Sequence, residues 1–313
     1  MPSSRRSHLI PISQALLVTF LWSTSWVLIK IGLREIPAIS FAGLRYTLAT
    51  LVLASVLVAR PELRAEVRHL ARADWLRLSL LGIVFYTLTQ GAQFVALAFL
   101  PAVMLSLVLS FSPAAVGLLG VSFLGERLSR PQWGGVALFL VGVLFYFLPL
   151  SVPLSTLGLI AAGVGLLANS CGSILGRSVN RRADLHPLVV TVVSMGVGSL
   201  ILLATGLTLE GMPRLDASGW AIVAWLAVVN TALAFTLWNH TLRRLTAIES
   251  SLINNTMLVQ IAILAWIFLG EPIGGREAFG LLVALVGTIL VQLPAARSAS
   301  PEAPRSPPRR PDR

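Results

Sequence analysis

A single cysteine, Cys171, serves a chain of 313 residues, which excludes an intramolecular disulfide and any Cys-based metal cluster. Lysine is as scarce, with Lys30 alone. Charged residues make up 12% of the chain, about half the share usual in soluble domains, so a solvated globular surface cannot be assembled from them. No Gly-x-Ser-x-Gly elbow, His-Glu-x-x-His helix, P-loop or dinucleotide fingerprint occurs, and no cofactor is called for. No Asp, Glu or His falls in the middle of a long apolar run, which leaves an intramembrane enzyme without its titratable pair. The four histidines, His8, His69, His186 and His240, all lie toward loops.

What is abundant is apolar sequence: 56% of residues are hydrophobic and mean hydropathy is +0.82. A membrane-crossing helix needs roughly 20 such residues. Ten runs qualify, near 11–32, 37–59, 75–97, 101–124, 131–149, 154–176, 186–209, 217–240, 245–270 and 276–294. The first follows Arg5 and Arg6, but it is too long for a signal peptide's apolar region and no small-residue cleavage site follows it, so it reads as a retained helix. Residues 295–313 are rich in Pro, Arg and Ser without apolar periodicity and read as a disordered basic tail.

The net charge of +11 is topological rather than a nucleic-acid signal. With loops assigned alternately, nineteen arginines fall on the side of the N-terminus, and only Arg34, Arg214 and Arg276 on the other. That bias puts both termini, including residues 1–10, in the cytoplasm of a cell bounded by the inner (plasma) membrane. Anionic lipid is the natural partner of such a face, and no nucleic acid is.

The chain also repeats itself. Phe123-Leu124-Gly125-Glu126 returns 145 positions later as Phe268-Leu269-Gly270-Glu271. Gly135, Leu140, Val141 and Gly142 return as Gly280, Leu285, Val286 and Gly287. Two copies of five spans each, 11–149 and 150–294, therefore make up the chain, and self-similarity governs the fold reading. Five is odd, so the second copy enters the membrane upside down. The expected fold is an all-α integral membrane protein of ten transmembrane helices in two inverted five-helix repeats, the architecture that makes alternating access simple.

In both copies the repeat resembles the EamA-like unit of the drug/metabolite transporter superfamily. The residues that carry the likeness are Leu21-Trp22-Ser23-Thr24-Ser25 ahead of Lys30, Leu44-Arg45-Tyr46, Ala102 with Ser106 and Pro113, and Gly125-Glu126 before a Gly-rich span 5. Ala247, Ser251, Gly270-Glu271 and Gly287 answer them in the second half, although Leu258 stands where a proline equivalent to Pro113 belongs, so span 9 should be straighter than span 4. The resemblance implies a secondary transporter, not an enzyme, with amino acids, related metabolites or amphipathic drugs as cargo and export as the direction.

Polar groups in hydrocarbon turn toward protein or a wet cavity, so their spacing marks the lining faces. Ser106, Ser110 and Pro113 share one face of span 4; their mates on span 9 are Ser251, Asn255 and Leu258, with Asn254 alongside. Tyr86, Gln90 and Gln93 line up on span 3, and Asn230 and Trp238 on span 8. Trp22, Ser23 and Trp26 come from span 1, Asn169 and Ser173 from span 6, and Arg45 lies at least two turns deep in span 2. Each has a plainer role. Serines bond their own preceding carbonyls, tryptophans belong to interfacial belts, and Arg45 is a clamp on backbone carbonyls or an anchor for an anionic group. Lys30 reads as snorkelling to the outer interface, Glu126 and Glu271 as loop organisers, and spans 5 and 10 as packing helices with almost no deep polar side chain.

The functional expectation is a transporter of a small amino-acid-like metabolite, zwitterionic or neutral and tolerant of aromatic groups. The alternative within transport is a nucleotide-sugar or phosphorylated-metabolite exchanger, which calls for several deep cations. Absent a deep acid, transport is facilitated or coupled through the cargo's own charge, with antiport still open. A homodimer is the one protein partnership kept open.

Overall fold

The computed structural model describes residues 3–117, 129–148, 155–180, 185–242, 244, 245 and 247–292, without the side chains of 3–9, 180, 239, 242, 247, 248 and 251. The end of the first repeat copy from Phe123 to Glu126, the side chain of Ser251 and the tail from 295 onward lie outside that description. All regular structure among the described residues is helical. The elements are α1 (Ser3–Gly32), α2 (Ala38–Val58), the short α3 (Pro61–Arg68), α4 (Arg72–Phe99), α5 (Ala102–Gly117) and α6 (Arg130–Phe147). They continue as α7 (Thr156–Asn180), α8 (Pro187–Leu209), α9 (Ala217–Ala227 running on to Ala234–Leu242), α10 (Ala247–Leu269) and α11 (Gly275–Gln292).

Among the described residues, eight helices, against the ten spans expected, are long and apolar enough to cross a membrane, and α5 is a shorter apolar helix. Large apolar side chains line the outside, with Leu76 and Leu209 each 73% exposed. In water such a surface would aggregate; in lipid it is the solvent-facing surface. Helix α1 begins at Ser3 rather than near residue 11 and runs through Pro11, whose missing N–H removes one rung close to the helix start.

Three local sequences shape the bundle. Span 4 was expected to be one run over 101–124. Instead its first segment, Ala102–Leu109, ends in a turn at Ser110 and Phe111 before helix resumes at 112–117. Pro113 explains the break, because its ring displaces the carbonyl four residues back and it has no N–H to give. With Leu258 at the equivalent place, α10 is continuous, as the missing proline implied. Wide π-turns interrupt α4 at Ile83–Gln90 and α9 at Val228–Leu233, and these start 145 residues apart. In each, a threonine hydroxyl satisfies the carbonyl five residues back: Thr89 donates to Val84 O at 2.9 Å and Thr231 to Leu226 O at 2.8 Å. Such insertions concentrate at functional sites.

The third device is Gly270, at φ +66°, which ends α10 in a left-handed turn; Glu271 N–H then reaches back to Ala265 O at 3.3 Å. That turn aims the Glu271 carboxylate at the start of α5, where it accepts from Ala102 N at 2.7 Å and Val103 N at 3.1 Å. Glu210, just past α8, does the same for α2, accepting from Ile39 N at 3.1 Å and Ser40 N at 2.8 Å. Unpaired N–H groups and the positive end of the helix dipole make a carboxylate the natural cap. Asp216 caps α9 from its own chain; the Gly219 N–H and then the Ser218 hydroxyl hold its carboxyl below the usual range.

Helices one repeat apart pack antiparallel. Gly135 on α6 lies against Gly287 and Val291 of α11, while Gly142 lies against Gly280 and Ala284, so numbering rises on one as it falls on the other. A Cβ on Gly280 would sit 2.7 Å from Gly142 O, so only glycine permits this backbone approach. On α2 and α8 the Ser40 end meets Gly206 and Gly43 meets Leu203.

Candidate functional site

A cavity of about 610 Å³ opens between α5, α7, α10 and α11, with Trp26 of α1 also on its wall. The break in α5 lies on its wall, with Ser106 and Ser110 before the turn's end and Ser112, Pro113 and Val116 after it. Polar side chains lining it are Ser106, Ser110, Ser112, Asn169, Ser173, Arg177, Asn254, Asn255, Thr288 and Gln292. Met257, Leu258, Ile261 and Leu285 give it an apolar component.

The serine protons are already spent. Ser106 donates to Val103 O at 2.8 Å, Ser110 to Leu107 O at 2.7 Å and Ser112 to Leu109 O at 2.6 Å. What these hydroxyls can offer a ligand is lone pairs. Asn169 Nδ2 donates to Ser112 Oγ at 2.9 Å, and Ser173 Oγ to Asn169 O at 2.8 Å. Asn255 and Gln292 exchange a reciprocal amide pair at 3.2 and 3.3 Å. Donor capacity left for a ligand therefore comes from Arg177, Asn254 and the remaining carboxamide N–H groups. The only charged side chain among the described lining residues is Arg177.

Of the residues the sequence singled out, Trp26, Ser106, Ser110, Pro113, Asn169, Ser173, Asn254, Asn255 and Leu258 line this cavity. Several others are engaged elsewhere. Asn230 reaches from the α9 π-turn to α1, where Nδ2, with two protons to give, lies within reach of Leu21 O, of Ser25 Oγ at 2.9 Å and of Thr24 Oγ1 at 3.1 Å, while its buried Oδ1 has no partner among the described residues. Trp22 packs on Phe235 and Trp238, with ring centroids at 5.3 and 5.2 Å, so both tryptophans belong to an aromatic contact between α1 and α9. Ser23 Oγ lies 2.8 Å from Thr19 O and 2.9 Å from Gln260 Oε1. Gln90 Oε1 accepts from Tyr46 OH at 2.6 Å, and Tyr86 meets the Tyr46 ring edge-on at 5.9 Å. Gln93 is half-buried and does not line the cavity. Arg45 is buried, donates from Nε to Thr231 Oγ1 at 3.1 Å, and stands over the Tyr46 and Phe94 rings. Ser251's side chain lies outside the description.

Sequence reasoning missed Thr288 and Gln292, having read span 10 as a packing helix with almost no deep polar side chain. Their i, i+4 spacing on α11, continuing from Ala284, was the available signal. Arg177 was counted as a topological charge, yet Asn169, Ser173 and Arg177 form one i, i+4, i+8 stripe down the cavity wall. Nor does Lys30 snorkel. Its ammonium donates to Leu97 O at 2.6 Å and Leu100 O at 2.7 Å, ending α4 with the cation a helix C-terminus favours. Lys30 and Glu271 both line a smaller hollow of about 340 Å³ at the end of the bundle opposite Arg177.

The sequence profile of the EamA-like transporter family matches residues 9–148 and again 156–293. A Salmonella typhimurium protein named "Probable amino-acid metabolite efflux pump" is 28% identical over 289 residues, covering 87% of this chain and 91% of that one. Its Escherichia coli namesake is 26% identical over 284 residues, with the same coverage. A solved crystal structure, 20% identical, superposes with a TM-score of 0.64 over 92% of this chain and 99% of the other, which supports the fold.

Proposed function

This chain belongs to the EamA-like transporter family, and from that premise we propose that it exports a small amino-acid-like metabolite by alternating access of two inverted halves. It is a multi-pass membrane protein. The observation that carries the reading is the polar-lined cavity between α5, α7, α10 and α11, with the exposed Arg177 on its wall, while at the opposite end Lys30 holds the α4 carbonyls and Glu271 the α5 amides. A membrane-spanning bundle with one polar pocket off its middle suits a transport cycle. The antiparallel pairing of α2 with α8 and of α6 with α11 supports alternating access, because exchanging the shapes of the two copies would move the pocket toward the other face. By the arginine bias the Arg177 end is cytoplasmic, the side from which an exporter loads.

The names of the efflux-pump relatives favour amino-acid metabolites. A nucleotide-sugar cargo fits less well. Its diphosphate calls for a cluster of cations, and Arg177 alone serves the described lining.

Purified protein in liposomes, assayed by counterflow against labelled amino acids and nucleotide sugars, tests the proposal. Saturable exchange of an amino acid is expected, and so is its loss in Asn255→Leu with the monodisperse, folded fraction unchanged. Exchange of nucleotide sugars only, or full flux in Asn255→Leu, would overturn it.

A further inference from the structure

The cavity is electrically lopsided. Arg177 presents a guanidinium at its mouth, at the end of the stripe that starts with Asn169, and it has no ion-pair partner among the described residues. No Asp or Glu stands among the described lining residues. A carboxylate entering from the mouth thus meets a fixed positive charge and a fork of donors suited to two oxygens. Among the described lining residues an ammonium meets neutral lone pairs on serines and carboxamides and the Trp26 ring, which do not offset its desolvation as an ion would.

We propose that the cavity recognises its cargo by the carboxylate, with Arg177 as the specificity-determining residue, and does not select for the α-amine. The inference rests on the reading of this cavity as the cargo site. It extends the cargo class beyond zwitterions: amino acids whose nitrogen is acylated, and 2-hydroxy or 2-oxo acids of the same size, should enter on equal terms. Amides and esters of amino acids should be refused.

The test uses full-length protein carrying Val116→Cys in a Cys171→Ser background, since Val116 lines the cavity and Cys171 is the only native thiol. Alkylation of the introduced thiol is timed in the presence of common amino acids, each as free acid, as carboxamide and as its desamino acid. Protection by acid and desamino acid at midpoints within about threefold of each other is expected, with the carboxamide needing at least tenfold more. Arg177→Gln should erase the difference between acid and amide, while Arg177→Lys should keep most of it. A merely structural role for Arg177 would move all three compounds together.

Loss of protection on removing the amine, or discrimination against the amide that survives Arg177→Gln, would overturn the assignment. So would a panel in which no member protects, even if the same protein exchanges amino acids in liposomes. The converse result, the expected protection pattern without flux, would refute the transport reading and support this one.

Discussion

At the scale of single residues, the division between lining and bracing is set by what each polar side chain already touches. Asn230 was a cavity candidate because a carboxamide inside a membrane helix needs partners. Its Nδ2 has them within the protein, tying the α9 π-turn to oxygens of α1, although its buried Oδ1 finds no partner among the described residues. Asn230→Ala should therefore destabilise the protein by about 1–3 kcal/mol by leaving buried acceptors unpaired. Thermal unfolding in detergent would register the loss, whereas the apparent KM of the folded fraction should stay within about twofold. A tenfold rise in KM with unchanged stability would put Asn230 in the cargo site after all. Sequence could show that Asn230 is polar at depth but not which way it faces, because a face on one helix says nothing of the neighbour that meets it. For Asn254 and Asn255 the same reasoning pointed to a cavity wall, on a stripe matching the polar face of span 4, and both line the cavity.

At the scale of elements, glycine spacing was readable and backbone irregularity was not. Gly135, Gly142, Gly280 and Gly287 recur at seven-residue intervals in both copies, and α6 and α11 cross where these glycines meet. Gly142→Ala should cost about 1–3 kcal/mol, because its Cβ would run into the Ala284 backbone, which cannot yield as a side-chain tip does. The adjacent Gly134→Ala is the control. Nothing lies within 4 Å of that Cβ, so its unfolding temperature should match or slightly exceed the parent's. Equal losses in both would mean that helix propensity, not the crossing, governs these positions. The π-turns left no comparable trace in sequence. One extra residue in a turn has no composition of its own, and Thr89 and Thr231, which satisfy the freed carbonyls, are indistinguishable beforehand from threonines bonding a normal helix. The break in α5 was legible only as Pro113 and only to within a turn.

At the scale of the whole molecule, carboxylates clasp helices of the opposite half. Glu271, from the second copy, holds the start of α5 in the first; Glu210 holds α2; and Glu66 of α3 accepts from His186 N at 2.6 Å where α8 begins. Each clasp joins the halves at one face, so in the proposed cycle those at the Lys30 end would oppose its opening. Glu271→Gln keeps the shape but weakens charge-assisted bonds to two amides, and should shift the population toward the outward-open form. A thiol introduced as Ala98→Cys beside Lys30, again with Cys171→Ser, should then react several-fold faster with an impermeant reagent added outside. An unchanged rate would remove Glu271 from the closure.

These inferences depend on the two copies crossing the membrane in opposite senses. Antiparallel packing of repeat mates follows if they do, since an in-plane twofold axis turns each helix end over end. Parallel copies would bring Gly135 beside Gly280 and Gly142 beside Gly287, rather than the reversed order seen. Ser129 and Gly274 are equivalent positions, 145 residues apart, each just ahead of the last helix of its copy. Ser129→Cys and Gly274→Cys, made separately without Cys171, offer one thiol each at matched sites. In intact cells an impermeant maleimide should label the Gly274→Cys protein alone, and Ser129→Cys should react only after the membrane is opened. Labelling of both from outside would leave the halves parallel, with no symmetry operation left to carry the open face from one side of the membrane to the other.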